Sequence, residues 1–287
     1  MHARFAVSLA STVGIVLLCT AALTGSDAAA AEADPGALIA AAEAAYDRWG
    51  APFDYGAYET PLRSAIDLWE QALPLLPEDA VQSRSHVLNR LSQAFFELAE
   101  GYLLDPAERE AAYELGKDTA LASLRLDPAF TATEQADGFR AALRAAGDVA
   151  AIFWYGNTLG QWLNYHYVTA IMGGGVKDVY ASFERSIELD EGYDGGGPHR
   201  AMGSLLTQAH FLVGRDPADA AFHFERSIAL DPTYLETYVN YAEYAKDEDL
   251  VDDLLSTVFE LAADPEVMAA HPFYNHRALQ RAERMAR

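Results

Sequence analysis

Two nine-residue segments nearly coincide, SFERSIELD at 182–190 and HFERSIALD at 223–231, and no other feature restricts the fold as much. Weaker copies are ALASLRLDP at 120–128 and LWEQALPLLP at 68–77, with VFELAADP at 258–265 as a last one. Each reads as an amphipathic helix stopped by Asp-Pro or a variant of it. In the second copy Ala220, Phe224, Ser227 and Ile228 share one helical stripe, with small residues where a neighbouring helix must come close. Pro232 cannot continue that helix, and Asp231 before it is pushed out of the helical region. Such a unit cannot bury its stripe alone, so it has to stack on its neighbours.

The pattern resembles the second helix of a tetratricopeptide repeat, whose unit is about 34 residues. Asp231 to Asp264 is 33 residues, while Asp127 to Asp190 is 63 and Asp190 to Asp231 is 41, so the array is irregular. Strand signals are weak and Ala-rich segments dominate. The prediction is an all-α, irregular tetratricopeptide-repeat-like helical solenoid, with helices near 35–50, 58–75, 80–103, 107–126, 132–146, 148–171, 176–189, 198–213, 217–230, 234–245, 247–262 and 272–285. Residues 32–287 read as a single domain of this kind.

Ahead of it, Arg4, an apolar run over 5–23 and the small residues 28–31 read as a secretory signal peptide, residues 1–31, cut after Ala30 or Ala31. A retained membrane anchor is the alternative, since about 19 apolar residues just span a bilayer. The sole cysteine, Cys19, lies in this segment, so the mature chain has no disulfide and no cysteine chemistry. Leu17 and Leu18 before it are unlike the small residue that precedes a lipid-modified cysteine. The expected location is the periplasm. With 43 Asp+Glu against 20 Lys+Arg the formal charge is -23, which excludes a nucleic-acid partner and disfavours an anionic membrane surface.

Charge is unevenly spread along the chain. Residues 149–176 and 201–214 carry no Asp, Glu, Lys or Arg, although 22% of the chain is charged. Both are candidate first helices of a pair, which in a solenoid line the concave wall. The acidity would then form an outer shell around an uncharged wall. Asn157, Thr158, Gln161, Asn164 and His166 make the first stretch unsuited to lipid. It is rich in aromatics, and Trp154, Thr158, Trp162 and Tyr165 form one stripe beside another containing Tyr155 and His166. Two readings stand: ordinary core packing, or an apolar pocket with Asn157, Gln161 and His166 as directing polar groups.

A second candidate is the run GGGPHRAM at 195–202. Pro198 suits a first helical turn, so free amides, the helix dipole, Gly196, Gly197, His199 and Arg200 would converge on a carboxylate. The alternative is a structural turn, with Arg200 paired to an acid. No HExxH, GxSxG or GxGxxG occurs, so the reading is no enzyme, no metal and no cofactor.

Three phrases in order, AIFWYGNTLGQW at 151–162, GGGPHRAMG at 195–203 and ETYVNYAEY at 236–244, resemble the TatT family, the T component of tetratricopeptide-repeat-associated TRAP transporters. The similarity runs from about residue 55 to 284. The resemblance implies a periplasmic accessory with an apolar cleft that holds or passes a hydrophobic or carboxylate ligand. It also implies association as a homo-trimer and binding to the substrate-binding P component. The segment from Trp154 to Trp162 and the turn from Gly196 to Arg200 are the matching positions. A cell-envelope interaction scaffold without a small-molecule site is the alternative, the usual role of repeat proteins.

Overall fold

The computed structural model describes residues 34–48, 53–215 and 218–287. The signal-peptide reading, Cys19 and the Asp216-Pro217 break lie outside the described residues. Fifteen α-helices and no strand occur among the described residues: α1 (Pro35–Tyr46), α2 (Glu59–Ala72), α3 (Val81–Gly101), α4 (Pro106–Leu124), α5 (Pro128–Asp137), α6 (Phe139–Ala145), α7 (Val149–Leu163), α8 (Tyr167–Ile171), α9 (Gly175–Asp190), α10 (Tyr193–Val213), α11 (Asp219–Leu230), α12 (Leu235–Tyr244), α13 (Glu248–Ala262), α14 (Pro265–Ala270) and α15 (Pro272–Met285). The fold is all-α, as the repeats predict.

Helices do end just before Asp-Pro, α4 at Leu124 ahead of Asp127-Pro128 and α13 at Ala262 ahead of Asp264-Pro265, but the same pairs also open the next helix. At α1, α4, α5 and α14 the aspartate caps and the proline opens the next helix: Asp34, Asp105, Asp127 and Asp264 accept from backbone amides of the first turn at 2.8–3.1 Å. Proline there forfeits only an amide that has no helical partner. α5 therefore starts at Pro128 rather than near 132, and α14 fills a stretch read as a connection. At Asp231-Pro232 no helix opens at the proline: Asp231 is extended at φ -145° after α11, and α12 starts at Leu235. Two predicted helices are also split. Gly138, at φ 90°, separates α5 from α6, and a turn at 164–166 separates α7 from α8.

The longer helices pack in chain order: α1 on α2, α3 on α4, α4 on α7, α7 on α9, α9 on α10, α10 on α11 and α12 on α13. The repeated helices α9 and α11 bury equivalent residues, Phe183 and Ser186 in one, Phe224 and Ser227 in the other. Ser227 meets the opening of α10, where a Cβ on Gly196 would lie 3.1 Å from Ser227 backbone. Gly196 also has φ 73°, so both space and conformation demand glycine.

The array does not stay open. α15 packs on α12 and α13, and its Phe273 and Tyr274 enter the N-terminal core with Tyr46, Tyr58 and Leu98. The Tyr274 hydroxyl donates to Glu97 Oε1 of α3 at 2.7 Å, across 177 residues of sequence. Full burial of a phenylalanine is worth about 1.5–3 kcal/mol, so this return contact is a substantial part of the fold.

Candidate functional site

The helices surround a cavity of about 550 Å³ with two unlike walls. One is apolar: Phe153, Trp154, Gly156 and Leu163 of α7, Val176, Val179 and Phe183 of α9, and Ala201, Leu205, Ala209 and Leu212 of α10. The period of each helix presents one stripe inward. A Cβ on Gly156 would come 2.7 Å from the Phe183 ring, so glycine lets α7 and α9 close this wall. A second depression of about 590 Å³ is more open. There Ser85 and Asn89 donate to Asp148 Oδ2 at 2.8 and 3.0 Å, and Ser123 pairs with Ser85 at 2.9 Å.

The other wall of the cavity is charged, against the expectation that charge stays outside. It comes from Glu100 of α3, Arg109 of α4, Asp194 and Arg200 of α10, Glu236 and Glu243 of α12, and Arg277 and Arg281 of α15. Arg277 bridges Glu100 and Glu236. Arg281 donates to Glu236 Oε1 at 2.7 Å and meets Glu243 at 2.6 Å. Burial raises the pKa of Glu236 and of Asp194, although Arg281 and Arg200 pull the other way. Burial and the neighbouring Arg281 bring Arg277 down to about 9, still a cation at neutral pH. Glu97, fully buried behind this wall, accepts from Tyr46, Tyr274 and Gln93, yet burial lifts it to about 7.

The sequence-predicted residues divide between this cavity and other places. Trp154, Asn157, Gln161, Gly197 and Arg200 line it. Trp154 donates to the Tyr193 hydroxyl at 3.1 Å and packs on Phe96 and Phe153, while Asn157 Nδ2 donates to the Phe153 carbonyl at 3.0 Å. Tyr155 is buried on another face of α7, edge-on to Phe139. Thr158 is buried against Gly116 and donates to the Trp154 carbonyl at 2.7 Å. Trp162 stacks on His166 at 3.7 Å under the Lys117 ammonium, His166 pairs with Glu110 at 2.9 Å, and Tyr165 packs near Tyr113. Gly196 rests on Ser227. His199 turns to His223 at 2.8 Å and to Glu191 at 3.2 Å.

The left-handed turn within the first residues of α10 is internally satisfied. Asp194, Gly195 and Gly196 all have positive φ, which carries the Asp194 carboxylate back onto Arg200 at 2.8 Å. Arg200 also donates to the Asp194 and Gly195 carbonyls at 3.2 Å and lies 3.8 Å over the Tyr234 ring. This is the paired-arginine alternative among the two readings of that turn. Missed from the sequence were Glu100, Glu236, Glu243, Arg277 and Arg281. The spacing of Glu236, Asn240 and Glu243 at i, i+4, i+7, and of Arg277 and Arg281 at i, i+4, was a visible signal of two polar inward stripes.

A family model described as the TRAP transporter T-component matches residues 107–287, well over half of the chain. The chain belongs to the TRAP transporter T-component family. No curated protein matches it significantly. The matched part of this T-component starts in the first turn of α4 and takes in the apolar wall, the left-handed turn, α12 and α15. Phe96, Glu97 and Glu100 of α3 precede it. Among the described residues of the T-component, no helix is long and apolar enough to cross a membrane, and no group of three or more His, Cys, Asp or Glu is placed to hold a metal.

Proposed function

We propose that the protein is an extracytoplasmic, periplasmic accessory of a TRAP-type transporter. It holds an apolar-tailed ligand in its cavity and exchanges it with the substrate-binding P component. The observation that carries this reading is the cavity: about 550 Å³, one wall aromatic and aliphatic, the other charged. That volume lies in the range of small-molecule sites, which are mostly apolar with a few placed polar groups. Trp154, Asn157, Gln161, Gly197 and Arg200 are the proposed contact residues among those read from the sequence, beside Phe183 and Glu236. No catalysis and no cofactor enter this role.

One feature of the surface supports docking beside the cavity. Tyr167, Val168, Ile171 and Met172 of α8 and its C-terminal end, with Phe211 of α10, are 57–84% exposed, and Tyr167, Ile171 and Phe211 also line the cavity. An apolar rim at the mouth of a cavity suits a partner that takes over its ligand. A scaffold without a ligand would use the same rim, as would association into a homo-trimer.

Native mass spectrometry of the gently purified protein, alone and with its P component, separates these uses. A co-purifying small molecule lost in Ala201→Phe, which fills the apolar wall, is the expected result. Val168→Glu with Met172→Glu should weaken capture of the P component without releasing that molecule. An empty wild-type protein that still captures its P component would leave the scaffold reading in its place.

A further inference from the structure

We propose that Gly160 of α7 is the position where the apolar tail of the ligand meets the helix: the space its missing side chain leaves in the cavity belongs to that tail. This rests on the reading of the cavity as a ligand site and concerns the tail alone.

Glycine inside a helix is destabilising relative to alanine, because it adds freedom to the unfolded chain and no contact to the folded one. The glycines inside the long helices differ in whether the fold requires them. A Cβ on Gly116 of α4 would lie 2.7 Å from the Thr158 methyl, and one on Gly156 of α7 2.7 Å from the Phe183 ring. In α10 a Cβ on Gly197 would lie 2.7 Å from the Phe153 ring, and one on Gly203 3.0 Å from the Phe224 ring. At each of these a neighbouring side chain leaves no room for a methyl group. Gly195 and Gly196 have positive φ and make the left-handed turn. Gly160 has neither reason. Its φ is not positive, and the atom nearest to a Cβ there would be Val179 Cγ1 at 3.6 Å, an ordinary contact distance. Alanine fits at this position without displacing anything.

Beside Gly160 lies the cavity, which it lines. Along the chain it stands between Phe153 and Trp154, the aromatic end of the apolar wall, and the exposed rim residues Tyr167 and Ile171. Its separation from Phe153 along the helix axis is about 10 Å. A tail that enters at the rim and ends on the aromatic wall therefore runs past Gly160, where bare backbone widens the passage by one side chain. A residue that lowers stability and whose structural effect is open space at a ligand site is the kind of local exception that function maintains.

Stability and binding should move in opposite directions. In the full protein without ligand, Gly160→Ala is expected to raise the melting temperature by about 1–3 °C, whereas Gly156→Ala, whose methyl group would meet Phe183, should lower it. Octanol and octanoate share one tail and differ in head, so a shared effect on both reports the tail. Their affinities, measured by calorimetry and tryptophan fluorescence, should fall roughly tenfold in Gly160→Ala and be lost in Gly160→Leu. A glycine kept for packing would instead lose stability and binding together. A lower melting temperature in Gly160→Ala overturns the proposal. So does wild-type affinity for both probes in Gly160→Leu where Ala201→Phe has abolished binding. No binding to the wild-type protein, or binding that ignores Ala201→Phe, would overturn the cavity as a ligand site and this assignment with it.

Discussion

The apolar and charged walls of one cavity are built on opposite plans. The apolar wall comes from α7, α9 and α10, within about sixty residues of sequence, and includes the two uncharged stretches 149–176 and 201–214. Its cohesion is spread over many contacts, each small. The charged wall is gathered from α3, α4, the start of α10, α12 and α15 and hangs on a few pairs, of which Glu100 with Arg277 joins residues 177 apart. Distributed packing degrades by increments. A largely buried ion-pair chain fails as a unit, because removing one member leaves the others short of both partner and solvent. The charged wall is therefore also the latch that closes the helical array, and the cavity depends on it for existence as well as for chemistry.

The largest expected effect breaks that latch. Arg277→Ala leaves Glu100 and Glu236, both over 90% buried in their side chains, without their shared cation. Chemical denaturation should show a loss of about 3–5 kcal/mol. Adding Glu100→Gln and Glu236→Gln to that variant should recover part of it. A loss below 1 kcal/mol would mean that the return of α15 rests on Phe273 and Tyr274 alone.

Next comes pH. Glu97 titrates near 4.5 when exposed and near 7 when folded, since burial outweighs its bonds to Tyr274, Tyr46 and Gln93. Between those values the folded state holds the extra proton. Its contribution is thus full below about 4.5 and lost as pH rises towards 7, on the order of 3 kcal/mol. His223, which burial and His199 pull to about 4, acts oppositely: stability falls as pH drops from 6.5 towards 4. Unfolding free energies at pH 5, 6 and 7 should therefore change little in the wild type and rise with pH in Glu97→Gln. A variant as flat as the wild type would show Glu97 ionised throughout.

These two walls were also unequally legible. Helical period and the absence of charge identified α7 and α10 and the general inward side, because those signals live within one helix. Rotation about the helix axis was harder to read. Of the stripe through Trp154, Thr158, Trp162 and Tyr165, Trp154 lines the cavity beside Phe153, Asn157, Gly160 and Asn164, whereas Trp162 and Tyr165 face α4. Aromatics sit on both faces, so composition does not choose between them; the neighbours do. The Asp-Pro pairs marked helix ends, as before Asp127 and Asp264, but not that the same dipeptide begins the next helix, because only the residues that follow decide that. The closure by α15 leaves no mark in local sequence, since Arg277 reads as one surface arginine until Glu100 is beside it.

The apolar wall should respond by degrees. Phe183→Leu removes part of a ring that packs against α7 and keeps an aliphatic lining. The expected loss is roughly 1–2 kcal/mol, with unchanged pH dependence. A loss as large as that of Arg277→Ala would make Phe183 a second latch rather than one contact among many.

The smallest effect separates charge from burial. Arg63 and Glu59 on α2 form an i, i+4 pair at 2.8 Å, as close as the contacts inside the cavity, with side chains 48% and 40% exposed. Water already solvates both groups, so Arg63→Ala should cost at most about 0.5 kcal/mol and less in high salt. Measured beside Arg277→Ala under the same conditions, the ratio of the two losses isolates burial, since both variants delete one guanidinium from an acidic chain. A ratio near one would place the strength of the charged wall in the protein's overall charge. A ratio near ten would place it in the exclusion of water that the closed array provides.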